Sequence, residues 1–321
     1  MRAVIQQQYG GSEQLSLAEI PAPVAGPGDV VVRTRAAGVD RGTWHLMTGQ
    51  PYAVRLMFGL RRPKYPVPGR DVSGVVAEVG EEVTNVSVGD EVMGTADGSF
   101  AELALVPQRR VAPKPDRLSF EESAALPVSG LTALQAVRDA GRVKPGDRVL
   151  VIGASGGVGS YAVQIATAYG AEVTGVASGA KADLVRSLGA TRVIDYTRED
   201  LADGTRYDVI LDIAGRRPLR QLRPLLTKRG TLVILGGEGG DRWLGGVHRQ
   251  LAAIALSPFV RHRLTSMISK ESAEDLAELT RLVERGQLRP LLERTFELQE
   301  AAKAIDHVAD GHARGKVAIT I

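Results

Sequence analysis

The segment Gly153-Ala154-Ser155-Gly156-Gly157-Val158-Gly159 constrains this chain more than any other. It follows a short apolar run, Arg148-Val149-Leu150-Val151-Ile152, that reads as a buried strand. It opens a stretch with Val158, Ala162, Ile165, Ala166 and Tyr169 on one helical face, closed by Gly170. Gly156 and Gly159 have the spacing of the last two glycines of a dinucleotide fingerprint, and Gly153 precedes Gly156 by three. Small residues there let the backbone approach a pyrophosphate, and the helix N-terminus supplies free N–H groups and a positive dipole end. The alternative is a tight strand–helix turn without a ligand. The surrounding strand–helix–strand pattern selects the ligand-binding reading.

That pattern continues downstream. Glu172–Ala177 is the next strand, Lys181–Leu188 a helix ended by Gly189, and 192–195, 208–212 and 231–235 are further apolar strands. Repeated units of this length imply a parallel, doubly wound sheet. Upstream the character differs. Val30–Arg35, Gly74–Val79, Glu91–Met93 and Phe100–Val106 are β-rich runs separated by glycine and proline turns, which suggests a compact barrel or sandwich. Thr48–Pro68 reads as a long loop with one short helical turn, and Ser119-Phe120-Glu121-Glu122 as a helix N-cap with acidic first-turn residues. In the tail, an amphipathic helix over Glu274–Glu284 presents Leu276, Leu279 and Val283 on one stripe. Strands at Thr295–Leu298 and Lys316–Thr320 flank a helix over Ala301–Val308, and this tail is expected to pack back onto the first domain. A chain of 321 residues exceeds the range in which a single core keeps growing, so two domains are expected.

Charge and composition remove several function classes. The 40 basic and 37 acidic residues are dispersed, without the concentrated basic stripe of a nucleic-acid binder. Arg61-Arg62-Pro63-Lys64 reads as a solvated loop, or as a contact for an anionic substrate. The chain has no cysteine, which excludes disulfides and thiolate zinc sites. No apolar stretch reaches membrane-spanning length, and the apolar start is too short for a signal peptide, so a cytoplasmic protein without a membrane partner is expected. The second strand of the doubly wound region ends Ala177-Ser178-Gly179-Ala180-Lys181, without the acid that would bind a ribose 2′-hydroxyl. Ser178 and Lys181 suit a 2′-phosphate instead, which favours NADPH over NADH. The other reading of Lys181 is a solvated residue of the first helical turn. Asp183 is expected to face solvent or cap that helix.

Lys144-Pro145-Gly146-Asp147, the 149–159 segment, Leu188-Gly189-Ala190 and Val193-Ile194-Asp195-Tyr196 carry a resemblance, joined by Pro68–Gly74, Val88–Val92, Leu131–Leu134 and Gly315-Lys316-Val317. From end to end the chain resembles the medium-chain dehydrogenase/reductase superfamily, and within it the zinc-free quinone oxidoreductase-like branch. The resemblance implies an α/β protein: a GroES-like β-rich catalytic domain of residues 1–121 and 288–321, a doubly wound Rossmann NADPH-binding domain of residues 122–287, and a cofactor cleft between them. It implies that Thr132 lies near the nicotinamide and that Ser155, Gly156, Gly157 and Val158 form the pyrophosphate loop. It also implies that Ser178, Lys181 and Tyr196 line the adenosine phosphate, that Gly236 and Gly237 form the turn beside the nicotinamide, and that the protein is a homodimer. Where zinc-dependent relatives carry a cysteine and a Gly-His-Glu, this chain has Asp40 and Gly69-Arg70-Asp71. Where zinc-free relatives commonly carry Asn-Pro-x-Asp, it has Asp40-Arg41-Gly42-Thr43. Either the substrate differs, or Asp40 substitutes for the asparagine.

Without a metal, the hydride acceptor must itself spread negative charge. An enone becomes an enolate and a quinone a hydroquinone anion, so positioning and a few donors suffice. The sequence therefore predicts an NADPH-dependent, metal-independent reductase of a small quinone or α,β-unsaturated carbonyl. A stand-alone enoyl reductase on acyl thioesters is the second reading. A non-catalytic NADPH-binding sensor, supported by the altered Asp40–Thr43 motif, is the third. Tyr52 is a candidate proton donor or an aromatic loop anchor. Asp40 either orients the nicotinamide ribose or substrate or is a turn residue. Lys316 either binds cofactor or an anionic substrate or is an edge-strand charge. Arg70 is expected to pair with Asp71 or another carboxylate, Trp44 to sit in the core, and His45 to ligate no metal. The segment from Asp241 to Val260 either roofs a substrate pocket or buries a dimer contact.

Overall fold

Alternation decides the first sheet. In the longest strand of the chain, Val30, Val32 and Thr34 are buried while Arg33 and Arg35 face outward. A slip of one residue would bury both guanidiniums, so the register is strongly specified. The structure, a computed structural model, describes residues 1–237, 242–311 and 313–321. Two compact units emerge: Met1–Leu131 together with Lys270–Ile321, and Thr132–Ser269.

The first unit begins with a two-stranded sheet of β1 (Arg2–Ile5) and β2 (Ser16–Glu19). Its larger sheet has seven strands on the order β14-β15-β3-β4-β5-β7, with β6 also paired to β3. These are β3 (Asp29–Val39), β4 (Asp71–Val79), β5 (Glu91–Thr95), β6 (Leu103–Pro107) and β7 (Val111–Pro113), joined from the tail by β14 (Leu292–Glu297) and β15 (Lys316–Thr320). Helices α1 (Arg41–Thr48), α2 (Arg55–Phe58), α3 (Phe120–Ala124) and the start of α4 (Pro127–Gln135) belong here, as do α9 (Ala273–Glu284) and α10 (Ala301–Ala309). The tail does return to this unit: β15 pairs antiparallel with β3, and Phe296, Ile305, Val317 and Ile319 share a core with Val39, Met47 and Phe100. Each such side chain contributes about 1.5–3 kcal/mol by leaving water, enough to hold a segment so distant in sequence. Ser119 caps α3 in a full capping box with Glu122.

In the second unit β8 (Arg148–Ile152), β9 (Glu172–Ala177), β10 (Arg192–Asp195), β11 (Tyr207–Asp212), β12 (Leu226–Ile234) and β13 (Arg263–Ser266) form a parallel sheet of order β10-β9-β8-β11-β12-β13. That is the strand order of a doubly wound Rossmann sheet, with its switch point between β8 and β11. Helices α5 (Gly157–Ala168), α6 (Ala182–Ser187), α7 (Leu219–Leu222) and α8 (Val247–Leu256) belong to it. Leu150, Ile152, Ile194, Ile210, Leu232 and Ile234 form its core.

The unit boundaries lie at 131/132 and 269/270, not at 121/122 and 287/288. The amphipathic helix α9 is the reason on one side. Its stripe of Leu276, Leu279, Leu282 and Val283 is buried, and it packs on β7 of the first unit. On the other side α3 packs on β3 and β4. An apolar stripe announces that a helix must be covered, but not by which sheet.

The glycines of the β8–α5 turn serve different purposes. Gly153 has φ +89°, a conformation that disfavours any side chain. A Cβ on Gly159 would lie 2.0 Å from the Gly153 carbonyl oxygen, whereas one on Gly156 would meet only that oxygen at 3.5 Å. Gly159→Ala is therefore expected to cost about 1–3 kcal/mol, and Gly156→Ala to change stability by less than about 1 kcal/mol. Urea unfolding midpoints of the two variants check this, and equal midpoints would refute the close approach.

Candidate functional site

The N-terminus of α5 stands at the end of β8. Its N-cap, Gly156, has extended backbone (φ −84°, ψ 177°) and no side-chain cap, so the first N–H groups of the helix have no side chain folded over them. Ser155 is buried, and Gly157 and Val158 form the first turn. The fold does not require glycine at 156. Its bareness leaves an open cradle at a helix N-terminus, which fits a diphosphate. At the neighbouring strand ends, Asp195 pairs in register with Ala177, and Tyr196 donates its N–H to the Ala177 carbonyl at 3.2 Å. That places Ser178 and Tyr196 side by side. The tight turn Gly179–Lys181 closes with a hydrogen bond from the Lys181 N–H to the Ser178 carbonyl at 2.9 Å. Tyr196 is 55% exposed, a surface rather than a core position. Asp183 faces solvent and pairs with Arg186 at 2.8 Å.

Asp195 was legible only as the end of a strand, yet it is an acid at this tip. Its Oδ1 accepts from the Thr197 hydroxyl (2.7 Å) and N–H (3.0 Å), and Oδ2 lies against Gly179. The Thr197 hydroxyl foremost, then the Thr197 and Gly179 N–H groups, hold its pKa below the usual carboxylate value. This carboxylate is committed to shaping the loop.

After β12, Gly236 presses against neighbouring backbone: a Cβ there would lie 1.9 Å from the Ile213 carbonyl oxygen, so position 236 admits nothing larger, whereas one on Gly237 would make only ordinary contact with Gly246 at 3.4 Å. Thr132, the first residue of the second unit, donates its hydroxyl to Ser269 Oγ at 3.1 Å. Asp241 lies outside the described residues. The rest of its segment contains α8, with Arg249 and Ala253 buried and Leu251, Ile254 and Phe259 exposed.

The first unit assembles a buried polar set. Asp71, with no exposed surface, accepts the Val128 N–H at 2.6 Å on Oδ1 and the Lys316 ammonium at 3.2 Å on Oδ2. Lys316 is 2% exposed and also donates to Ser129 Oγ at 3.1 Å. The edge-strand reading of Lys316 fails because β15 lies inside the sheet, between β14 and β3. Gly38, opposite Asp71 in register, makes room for it: a Cβ there would sit 2.7 Å from Asp71 Oδ2. Burial raises the Asp71 pKa from 3.8 to about 6, against the pull of Lys316, and the charge of Asp40 adds to the rise.

Asp40 is the N-cap of α1. Its Oδ1 accepts the Thr43 N–H (2.7 Å) and hydroxyl (3.1 Å), while its Oδ2 is buried without a hydrogen-bond partner among the described residues. The turn role is thus real, and one carboxylate oxygen remains. Tyr52 lies under the Arg55 guanidinium, which also covers Tyr9, the anchoring arrangement weighed for it. The structure brings Asp40 and Lys316 towards Asp71. Arg70 pairs with Asp97 and Glu271, not Asp71, and Arg110 closes the ring to the same two acids. Trp44 packs beside the core with Arg41 over its ring, and His45 Nδ1 meets the Gln50 carbonyl at 2.7 Å. Asp71 and Ser129 escaped the sequence reading as a pair for Lys316. The one signal was Gly38, an unexplained glycine inside a strand.

Two family models match the chain: an alcohol dehydrogenase GroES-like domain over residues 26–116 and a zinc-binding dehydrogenase over residues 188–319. A chloroplastic quinone-oxidoreductase of Triphysaria versicolor is 32% identical over 99% of this chain and 98% of its own length. This chain belongs to the quinone oxidoreductase-like branch of the medium-chain dehydrogenase/reductase superfamily. As a member of that branch it is an oxidoreductase, with the GroES-like and Rossmann architecture expected. A solved quinone oxidoreductase from Coxiella burnetii superimposes with a TM-score of 0.86 at 31% identity, covering 100% of this chain and 99% of that one. A mycobacterial protein complexed with NADPH matches with a TM-score of 0.82 at 26% identity over 100% of both chains. The second family model implies zinc, but the residues here do not fit it. The chain lacks cysteine, Arg70 is a cation, and both Asp71 oxygens are engaged. No helix among the described residues is long and apolar enough to cross a membrane.

Removing one member of a buried ion pair strands the other, so Lys316→Met is expected to lose about 3–5 kcal/mol. The double change Asp71→Asn/Lys316→Met should cost less than that single change. Because the Asp71 pKa is higher folded than unfolded, its contribution favours folding in acid and weakens as pH rises from 3.8 to about 6. Urea unfolding across that range should show wild type losing stability relative to the double variant, and a flat difference above it. A difference that grows with pH would contradict the assignment.

Proposed function

We propose that this oxidoreductase is an NADPH-dependent, metal-independent reductase of quinones or α,β-unsaturated carbonyls. One observation carries the cofactor reading: a glycine the fold does not need, Gly156, at the uncapped N-terminus of α5. Around it, Ser155, Gly157 and Val158 would hold the pyrophosphate, while Ser178, Lys181 and Tyr196 would hold the 2′-phosphate. The β9 tip carries no acid, and Asp195 is turned into its own loop. The NADPH bound by the mycobacterial relative supports the same choice. Gly236, Gly237 and Thr132 would hold the nicotinamide end.

When bound, NADPH supplies hydride from nicotinamide C4. With that hydride and one proton the substrate would become a saturated carbonyl or a hydroquinone. The chain has to position the acceptor and stabilise the negative charge that develops on its oxygen. In this reading Tyr52 donates to that oxygen and Asp40, through its free Oδ2, orients a donor group of the ligand. Lys316 acts through Asp71 as a positioning residue rather than by touching substrate. We also propose a cytoplasmic homodimer; the exposed Leu251, Ile254 and Phe259 support self-association.

The purified protein is expected to oxidise NADPH with 1,4-benzoquinone, 9,10-phenanthrenequinone or simple enones. Turnover confined to acyl thioesters would move the protein to acyl-chain reduction, and tight NADPH binding without turnover to a sensor. Gly156→Val should abolish NADPH binding while leaving the unfolding midpoint near wild type, because its side chain occupies the phosphate approach. Lys181→Glu should weaken NADPH far more than NADH. Equal losses by fluorescence titration would remove the 2′-phosphate role.

A further inference from the structure

Arg249 and Asp212 form an ion pair inside the second unit, with side chains 9% and 0% exposed and Nη2–Oδ2 at 2.5 Å. Arg249 Nη1 donates to the Gly215 carbonyl, and Asp212 Oδ1 accepts the Gly215 N–H at 3.1 Å. The pair therefore grips Gly215 from both of its peptide groups. Gly215, in the left-handed region at φ +67°, is in turn pressed on the β12 turn: a Cβ there would lie 2.5 Å from the Gly236 carbonyl oxygen. The N–H groups of Leu235 and Gly236 both reach the Asp212 carbonyl, at 3.0 and 3.2 Å. At the start of α8, Gly246 comes equally near, with a Cβ only 2.3 Å from Gly237 Cα. Four glycine backbones thus converge, and the guanidinium of Arg249 ties α8 to the strand end beneath them.

An ion pair this buried carries a desolvation penalty for each ion, and apolar side chains often fill such space as stably. What the guanidinium adds is direction, because its planar fork fixes two named acceptors at once. Its Nε is buried without an acceptor among the described residues. A charged group retained in the core with a buried donor unused suits a site whose geometry matters more than its stability.

We infer that Arg249 is a positioning residue for the Gly236-Gly237 turn, and that through Asp212 and Gly215 it sets where the nicotinamide half of the cofactor is held. The inference rests on the cofactor reading above. It also gives the inner face of α8 a role separate from its exposed Leu251 and Ile254.

Fragment binding separates this from a merely structural role. The probes are 2′,5′-ADP, which reports only the adenosine end, and whole NADPH. Arg249→Met is expected to bind 2′,5′-ADP within about twofold of wild type, to bind NADPH at least about tenfold more weakly, and to lose up to about 10²-fold in kcat at saturating NADPH, the scale of a misplaced reacting group. Arg249→Lys should restore part of the kcat, keeping the charge without the fork. Should Arg249→Met prove too unstable, Asp212→Asn/Arg249→Met removes both charges while keeping an oxygen for the Gly215 N–H, and the same split is expected. Equal losses of 2′,5′-ADP and NADPH, or a folded variant with wild-type NADPH affinity and kcat, would overturn the role of Arg249. A wild-type protein that binds neither probe would overturn the cofactor reading itself.

Discussion

The first turn of α5 approaches the end of β8 so closely that a single methyl group at Gly159 would meet the Gly153 oxygen at 2.0 Å. Much of the second unit follows from that approach. With α5 held against the sheet, the chain must cross over to reach β9, and the strands are therefore parallel. The same economy recurs where a Cβ on Gly175 would reach Val185 at 2.4 Å, and where Gly236 abuts the Ile213 carbonyl. The surface left at the carboxyl ends of β8, β9 and β12 consists largely of backbone and small side chains. Such a surface recognises phosphates through N–H groups and a helix dipole rather than through long charged residues.

The first unit manages charge differently. Asp71 and Lys316 occupy adjoining interior regions of a sheet whose other inward residues are mostly valine and alanine. They can do so because every oxygen of Asp71 has a donor and because Gly38 vacates the space opposite it. The Arg70, Asp97, Arg110 and Glu271 ring is more exposed, and each guanidinium there meets two carboxylates. Arg70 and Asp71 are thus committed to other polar groups of this chain, while Asp40 Oδ2 is among the buried oxygens without a partner among the described residues.

Family membership settles the architecture and the general chemistry, because both rest on motifs spread through the whole chain. It does not carry the substrate, which depends on side chains that vary on a constant scaffold. Among the described residues each unit carries a deeply buried ion pair, Asp71–Lys316 in the first and Asp212–Arg249 in the second, and neither interrupts the strand order of its sheet.

The sequence alone was enough for whatever is encoded locally. The glycine turn, the periodicities of 2 and 3.6 residues, the Ser119 capping box and the missing acid at the β9 tip are short-range patterns, each with its own physical signature. Elements whose signal is weak were not legible: β1, β2, β7 and β13 are short, and α1 and α8 lie where glycine or proline interrupts the pattern. Only the tertiary structure could pair Lys316 with Asp71, or Arg249 with Asp212, since partners 245 and 37 residues apart leave no periodic trace. The same holds for α9, whose apolar stripe shows that it needs a partner while the choice of sheet is made by packing. A charge reads alike in sequence whether it meets water or a buried counter-ion; the folded chain decides which, by supplying or withholding the partner that makes burial tolerable.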